Sequence, residues 1–223
     1  MTTRVVLKVG GASTAAAAAP LRGLVTSCYE VAVVHGAGPQ ISAEMERLGL
    51  PVEFVGGRRV TSAAALDVVR ASFAAVNAEL CAAIGAAAVP LFGDEIGLCA
   101  RRVPGLGLVG DPVPCAPAAV VDALANGLVP VIAPLAAGPL NVNADEMAAA
   151  LAVGLHADRL LFVTDVPGLL LEGNVVEEIG ADAAEELLDG GALEGGILPK
   201  LRAAVTAARL GVAAEIGATA VVA

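Results

Sequence analysis

The chain has 223 residues, 57% of them hydrophobic and 2% aromatic, with 13 Lys+Arg against 23 Asp+Glu for a net charge of -10. That apolar fraction is ample for a core and excludes a disordered chain; the acidic balance and scarce aromatics argue against nucleic acid as a partner. A bilayer span needs roughly 18 uncharged apolar residues in a row, and the nearest stretch, Gly127 to Leu140, is shorter and carries Pro130, Pro134 and Pro139.

Short β-branched runs alternate with longer alanine-rich stretches, the order of an α/β protein. Arg4–Val9 reads as a strand, Ala15–Cys28 as a helix and Val31–His35 as a second strand. Gly36–Pro39 makes a tight loop, with Pro39 placed to open a helix that runs to Leu48. Pro51–Val60 holds two extended pieces around Gly56-Gly57, a hairpin by its turn chemistry. Thr61-Ser62 caps a long helix to about Gly85, apolar at Leu66, Val69, Phe73, Val76 and Leu80. Val89–Val113 is dense in Gly and Pro and holds small strands. Pro117–Asn126 reads as a helix, Val129–Ala133 as a strand, and Leu140–Asn143 leads into a helix from Ala144 to about Leu155. Arg159–Thr164 is a strand, Asp165–Gly168 a turn, and Ala181–Leu188 and Pro199–Leu210 are helices. Two short strands follow, Ala213–Ile216 and Thr219–Val222, and the one seam falls at Ala136–Pro139.

Cys28, Cys81, Cys99 and Cys115 lie far apart with no CxxC pair, so they read as free thiols in a reducing compartment. With His35 and His156 the only histidines, a His-based metal site is close to excluded. Arg4–Val9 is not preceded by a basic leader and an apolar run, and the expected location is cytoplasmic.

Two glycine loops, Gly10-Gly11-Ala12-Ser13 and Gly36-Ala37-Gly38-Pro39, follow strands where helices begin, a place suited to binding phosphate through backbone amides. Neither carries a dinucleotide or Walker fingerprint, and for each alone an ordinary strand-to-helix turn is as good a reading. The lysines are the sharper signal. There are two, Lys8 in an apolar strand and Lys200 at a helix start where a cation opposes the dipole, and both positions call for an anionic partner. Asn141, Asn143 and Asp145 precede or open a helix, where either Asn143 or Asp145 would serve as a cap. Asp165 and Gly168 follow a buried-type strand, the usual place for nucleotide in open α/β sheets, or else a simple turn.

The ordered motifs Leu7-Lys8-Val9-Gly10-Gly11, Val34-His35-Gly36-Ala37-Gly38-Pro39, Gly57-Arg58-Arg59-Val60-Thr61, Asn141-Val142-Asn143-Ala144-Asp145, Thr164-Asp165-Val166-Pro167-Gly168 and Gly195-Gly196-Ile197-Leu198-Pro199-Lys200 together resemble the acetylglutamate kinases of the amino acid kinase family. The resemblance spans nearly the whole chain. It implies a three-layer αβα sandwich around a mainly parallel central sheet, with residues 1–137 binding the acyl-amino acid and pairing the subunits of a homodimer. Residues 138–223 would bind the nucleotide. The implied activity is ATP- and Mg²⁺-dependent phosphorylation of the γ-carboxylate of N-acetyl-L-glutamate in arginine biosynthesis.

Carried over by position, Lys8 and Lys200 would stabilise the moving phosphoryl group and Asp145 would hold both lysines. Gly10 and Gly11 would give amides to phosphate, while Asp165 and the turn through Gly168 would line the nucleotide pocket. Gly36, Ala37 and Gly38 would cradle the γ-carboxylate, and Arg59 and Asn141 would hold the other end of the substrate. The chain departs from the family pattern at Ala37, where glycine is usual, at Ile197, where methionine is common, and in a compressed middle and C-terminal end. No metal ligand is assigned, and His35 reads as a hydrogen-bonded strand-end residue.

The chemistry agrees. A carboxylate nucleophile with a pKa of about 4.3 is ionised at pH 7 and needs no general base. Its repulsion by the ATP phosphates is what cations, amides and Mg²⁺ must offset. Two other readings stay open: a kinase of the same fold acting on glutamate or aminoadipate bound to a carrier protein, and a non-catalytic sensor of amino acid or nucleotide.

Overall fold

The computed structural model describes residues 2–10, 23, 29–164, 166–191, 193 and 195–223. Apart from Gly23, the predicted helix Ala15–Cys28 lies outside these residues, as do the candidates Gly11 and Asp165. In chain order the elements are β1 (Arg4–Val9), β2 (Glu30–His35), α1 (Gly38–Arg47), β3 (Phe54–Val55), β4 (Arg58–Arg59), α2 (Ala63–Ile84), β5 (Ala88–Phe92), β6 (Ala100–Arg102) and β7 (Val109–Pro112). There follow α3 (Ala118–Ala125), β8 (Val129–Ala133), β9 (Leu135–Ala136), β10 (Leu140–Val142), α4 (Ala144–Gly154), β11 (Arg159–Val163), β12 (Leu170–Leu171), β13 (Asn174–Val175) and β14 (Glu178–Gly180). The last are α5 (Ala181–Asp189), α6 (Ile197–Arg209), β15 (Ala213–Ile216) and β16 (Thr219–Val222).

Eight strands form the central sheet in the order β14-β16-β15-β11-β1-β2-β8-β5. All neighbours pair in parallel except β15 and β16, which close as a hairpin. Side chains alternate across a strand, so β1 feeds two cores. Val5, Leu7 and Val9 pack with Ile41 and Met45 of α1 and with Leu66, Val69, Phe73, Val76 and Leu80 of α2. Val6 faces the opposite side, with Val34, Phe162, Leu151 of α4 and Leu201 of α6. The result is a three-layer αβα sandwich around a mainly parallel sheet. Lys8 keeps step with Val6 and therefore points toward α4, in register with Val34 and Phe162.

Local chemistry explains the element limits. Gly56 and Gly57 have φ of 58° and 80°, the left-handed pair that a tight hairpin turn demands, and they join β3 to β4. The Ser62 side chain accepts from the Ala65 amide and starts α2. α6 begins at Ile197 rather than Pro199, because proline inside a first turn forfeits an N–H that would have no helical acceptor. Lys200 is thus two residues deeper in the helix than expected. A second sheet, β6-β7-β10-β9, sets Asn141 opposite Val109. Cys81, Cys99 and Cys115 are free thiols. No described helix is long and apolar enough to cross a membrane.

Candidate active site

A cavity of about 240 Å³ opens beyond the C-terminal ends of β1 and β2, walled by Lys8, Gly36–Pro39, Arg58, Arg59 and the segment Asn141–Asp145. Clefts of this kind lie outside the carboxyl ends of parallel strands. Lys8 is 5% and Asp145 6% exposed, and Lys8 Nζ approaches Asp145 Oδ1 at 2.8 Å. The approach is too oblique to count as an aligned hydrogen bond, so the contact is an ion pair held by proximity and low dielectric.

Asp145 is available for this because Asn143 caps α4, its side-chain oxygen accepting from the Asp145 amide at 2.8 Å and the Glu146 amide at 3.2 Å. The choice left open by sequence is thereby decided: Asn143 is the cap. Asp145 stands in the first turn, facing the strand.

α1 starts beside this pair. Ala37 precedes it at φ -140°, a value any L residue adopts, so alanine costs no strain where the family pattern has glycine. Its methyl is buried against the α1 and α2 side of the sheet. A Cβ added at Gly38 would meet open space, so the first amides of α1 border the cavity without a screening side chain. The Gly36 amide donates to Val9 O at 2.9 Å and ties this loop to the end of β1 beside Gly10.

Arg59 reaches in from β4. It is 6% exposed and donates to Gly38 O at 3.1 Å and Ser42 Oγ at 2.8 Å, with its guanidinium 4.5 Å from the centre of the Phe54 ring. Among the described residues no carboxylate pairs with it, and burial pushes its pKa below the usual arginine value. Asn141 Nδ2 donates to Thr61 Oγ1 at 3.0 Å, and that hydroxyl donates to Arg59 O at 2.7 Å, so the two substrate candidates share one buried hydrogen-bond chain.

Two expectations are corrected. Asp145 pairs with Lys8, whereas Lys200 stands in the first turn of α6, donates to Gly196 O at 3.1 Å and does not wall the cavity. Its neighbour Pro199 packs beside the hairpin turn, 3.8 Å from where a Cβ on Gly57 would lie. His35 is fully buried and neither ring nitrogen has a well-aligned hydrogen bond among the described residues; burial lowers its pKa to about 4. Its ring instead meets Phe73 edge-on, with centroids 5.8 Å apart. Gly168, expected beside the nucleotide, lies in the turn after β11, where a Cβ would come 2.6 Å from Thr219 Oγ1. Thr219 is the residue sequence reasoning missed there: its hydroxyl accepts from the Leu169 amide at 2.8 Å and donates to Val176 O at 2.6 Å. No local pattern marks a threonine 50 residues away.

Residues 3–217 match the model of the amino acid kinase family. The chain is 44% identical over 221 residues to the acetylglutamate kinase of Rubrobacter xylanophilus, covering 95% of this chain and 87% of that one. With the acetylglutamate kinase of Koribacter versatilis it shares 39% over 228 residues, 94% of this chain and 87% of that one. Among solved structures, smu.665 from Streptococcus mutans superposes with a TM-score of 0.91 at 27% identity, covering 100% of this chain and 99% of that one. Carbamate kinase from Giardia lamblia bound to AMP-PNP does so at 0.75 and 17%, over 99% of this chain and 98% of that one, a likeness of fold alone. With its motifs in order on the matching sandwich, this chain belongs to the amino acid kinase family.

Proposed function

We propose that the chain is an ATP-dependent N-acetyl-L-glutamate 5-kinase that phosphorylates the γ-carboxylate of its substrate in arginine biosynthesis. The observation that carries this reading is Arg59: a buried guanidinium without a carboxylate partner among the described residues, opening on the cavity that holds the Lys8–Asp145 pair and the bare start of α1. A buried cation lacking a counter-ion is costly unless a ligand supplies one. A small dianion answers both ends, one carboxylate on the planar fork of Arg59 and the other before the amides of Gly36, Ala37 and Gly38. Asn141 would bond the acetylamino group.

In this reading the γ-carboxylate oxygen attacks the terminal phosphorus of ATP as the bond to the bridging oxygen of ADP breaks. Lys8, oriented by Asp145, would stabilise the charge on the transferring group, with Lys200, Gly10 and Gly11 as further candidates on the nucleotide side. Mg²⁺ would be held chiefly by the phosphates of ATP, since this ion commonly binds through substrate phosphates and keeps several waters. Among the described residues no three potential metal ligands cluster, and Asp145, the carboxylate of the cavity, faces Lys8. Asp165 and Gly168 would line the nucleotide pocket, in residues 138–223, with the acyl-amino acid held chiefly by residues 1–137. A cytoplasmic homodimer paired through α2 completes the proposal; that helix buries Leu66, Val69, Phe73, Val76 and Leu80 and leaves a row of alanines exposed.

The test is coupled ADP release over acetylglutamate, glutamate, aspartate and acetylaminoadipate, with the acyl phosphate trapped by hydroxylamine. Turnover with free acetylglutamate supports the reading. Turnover with another of these acids but not with acetylglutamate, or with none of them, overturns it.

A further inference from the structure

Arg58 and Arg59 are adjacent in β4 and project to opposite sides of the hairpin, as consecutive strand residues must. Arg59 turns toward α1 and the cavity. Arg58 also lines the cavity, but its guanidinium turns the other way, its Nε donating to Glu146 at 2.9 and 3.1 Å and its Nη2 bonding Asp111 Oδ1. The three elements joined here are far apart in sequence: β4, the start of α4 and the end of β7. Asn143 adds a bond from its Nδ2 to Gly57 O at 3.1 Å. The arginine side chain is 22% exposed and that of Glu146 27%, so the cluster is partly screened from solvent. Burial pushes the Glu146 carboxyl up from its ordinary value, and the hydrogen bond from Arg58 pulls it back.

The cluster touches the site at two points. Glu146 adjoins Asp145, the residue that orients Lys8, and Arg58 adjoins Arg59. Phe54 and Val55, on the other hairpin strand, are 54% and 55% exposed, so apolar packing gives that strand little hold. What holds the hairpin over the cavity is polar: Arg59 toward α1, Arg58 and Asn143 toward α4. Without Arg58, Glu146 and Asp111 would face each other as like charges beside the Lys8–Asp145 pair.

We infer that Arg58 is a positioning residue, a brace to Glu146 and Asp111 that sets where the hairpin presents Arg59 to the acyl-amino acid. The inference rests on the kinase reading above and adds a residue that binds neither reactant. Its guanidinium is engaged by two carboxylates, whereas the oxygen acceptors of Arg59 among the described residues, Gly38 O and Ser42 Oγ, are neutral.

The experiment compares wild type with Arg58→Leu, Arg58→Lys and the pair Asp111→Asn with Glu146→Gln. Arg58→Leu should raise KM for acetylglutamate about tenfold, since small misplacements of a positioned group are costly, while kcat and KM for ATP stay within about twofold. Arg58→Lys should fall between, and the paired variant should reproduce the KM effect with Arg58 intact. Amide hydrogen exchange over residues 53–60 should quicken in Arg58→Leu without nucleotide or substrate. Unchanged KM with unchanged exchange overturns the inference, as does a parallel loss of kcat and melting temperature in every variant, which marks a purely structural cluster. If wild type fails to phosphorylate acetylglutamate yet exchange at the hairpin still responds, the kinase reading fails and the brace stands.

Discussion

Replacing Arg59 with methionine should leave the protein about as stable as before, while crippling substrate binding. The guanidinium is 6% exposed, and its polar partners are neutral: Gly38 O, Ser42 Oγ and the sulfur of Met45 at 3.5 Å. Burying a charge without a counter-charge is unfavourable, and exchanging buried ionic groups for apolar ones of similar volume is often neutral or stabilising. Against this stand the loss of the contact with Phe54, worth about 0.5–2 kcal/mol, and of the hydrogen bonds to Gly38 O and Ser42 Oγ. The opposing terms are of similar size, so Arg59→Met should change stability by no more than about 1 kcal/mol, within ~4 °C in a chain of this size. The substrate would lose a buried, charge-assisted partner, typically ~2–5 kcal/mol, which at ~1.4 kcal/mol per tenfold raises KM by ~30-fold or more. Arg59→Lys keeps the charge and loses the fork, so its KM should rise ~10-fold or more. Calorimetry without ligand and coupled ADP release measure the two effects separately. A variant that melts several degrees earlier with KM unchanged would make Arg59 a structural residue and refute the argument.

Lys8→Ala strands Asp145 as a buried unpaired carboxylate, so urea unfolding should show a loss of ~3–5 kcal/mol and turnover should fall ~10²-fold or more. Lys8→Met combined with Asp145→Leu should recover much of the stability and none of the turnover; turnover surviving in either variant would remove the pair from the mechanism. His35 is held at about pH 4 when folded against 6.5 in the free side chain, so between those values the unfolded chain binds more protons. Its contribution is present above pH 6.5 and is lost as pH falls toward 4, about 3 kcal/mol in all. His35→Asn should flatten that slope in urea titrations, and identical slopes would show that His35 is not the source. A Cβ on Gly154 would sit 2.2 Å from Cys115 O, so Gly154→Ala should cost ~1–3 kcal/mol, read as an earlier melt; a normal melting temperature would mean that the Cys115 segment gives way freely.

Local signals in the sequence located most of the framework. Gly56-Gly57 marked the hairpin, Ser62 the start of α2, and the spacing of Leu66, Val69, Phe73, Val76 and Leu80 its buried face, because turn conformation, capping and helical period are properties of neighbouring residues. The scarcity of lysine singled out Lys8, which the cavity contains. What could not be read was who meets whom. Asp145 lies 137 residues from Lys8, and Asp111 and Glu146 lie 53 and 88 residues from Arg58. Such pairs are set by sheet order and by the parity of each strand, which no short window reports. The two-residue strands β12 and β13 were missed for another reason: two residues carry no period.

The position of β1 bears on how the chain assembles as it is made. β1 lies between β2, whose first residue follows it by about two dozen positions, and β11, whose register begins with Val5 against Arg159. During synthesis one side of an apolar strand therefore waits, with unpaired amides and carbonyls, while some 150 residues are added. Exposed strand edges of that composition invite pairing with other chains. Lys8 interrupts this one, and a charge that must point inward is among the devices by which natural sheets discourage such encounters. Until Asp145 is translated and α4 docks, the lysine assigned to phosphoryl transfer is also what makes β1 a poor template for a stranger's strand.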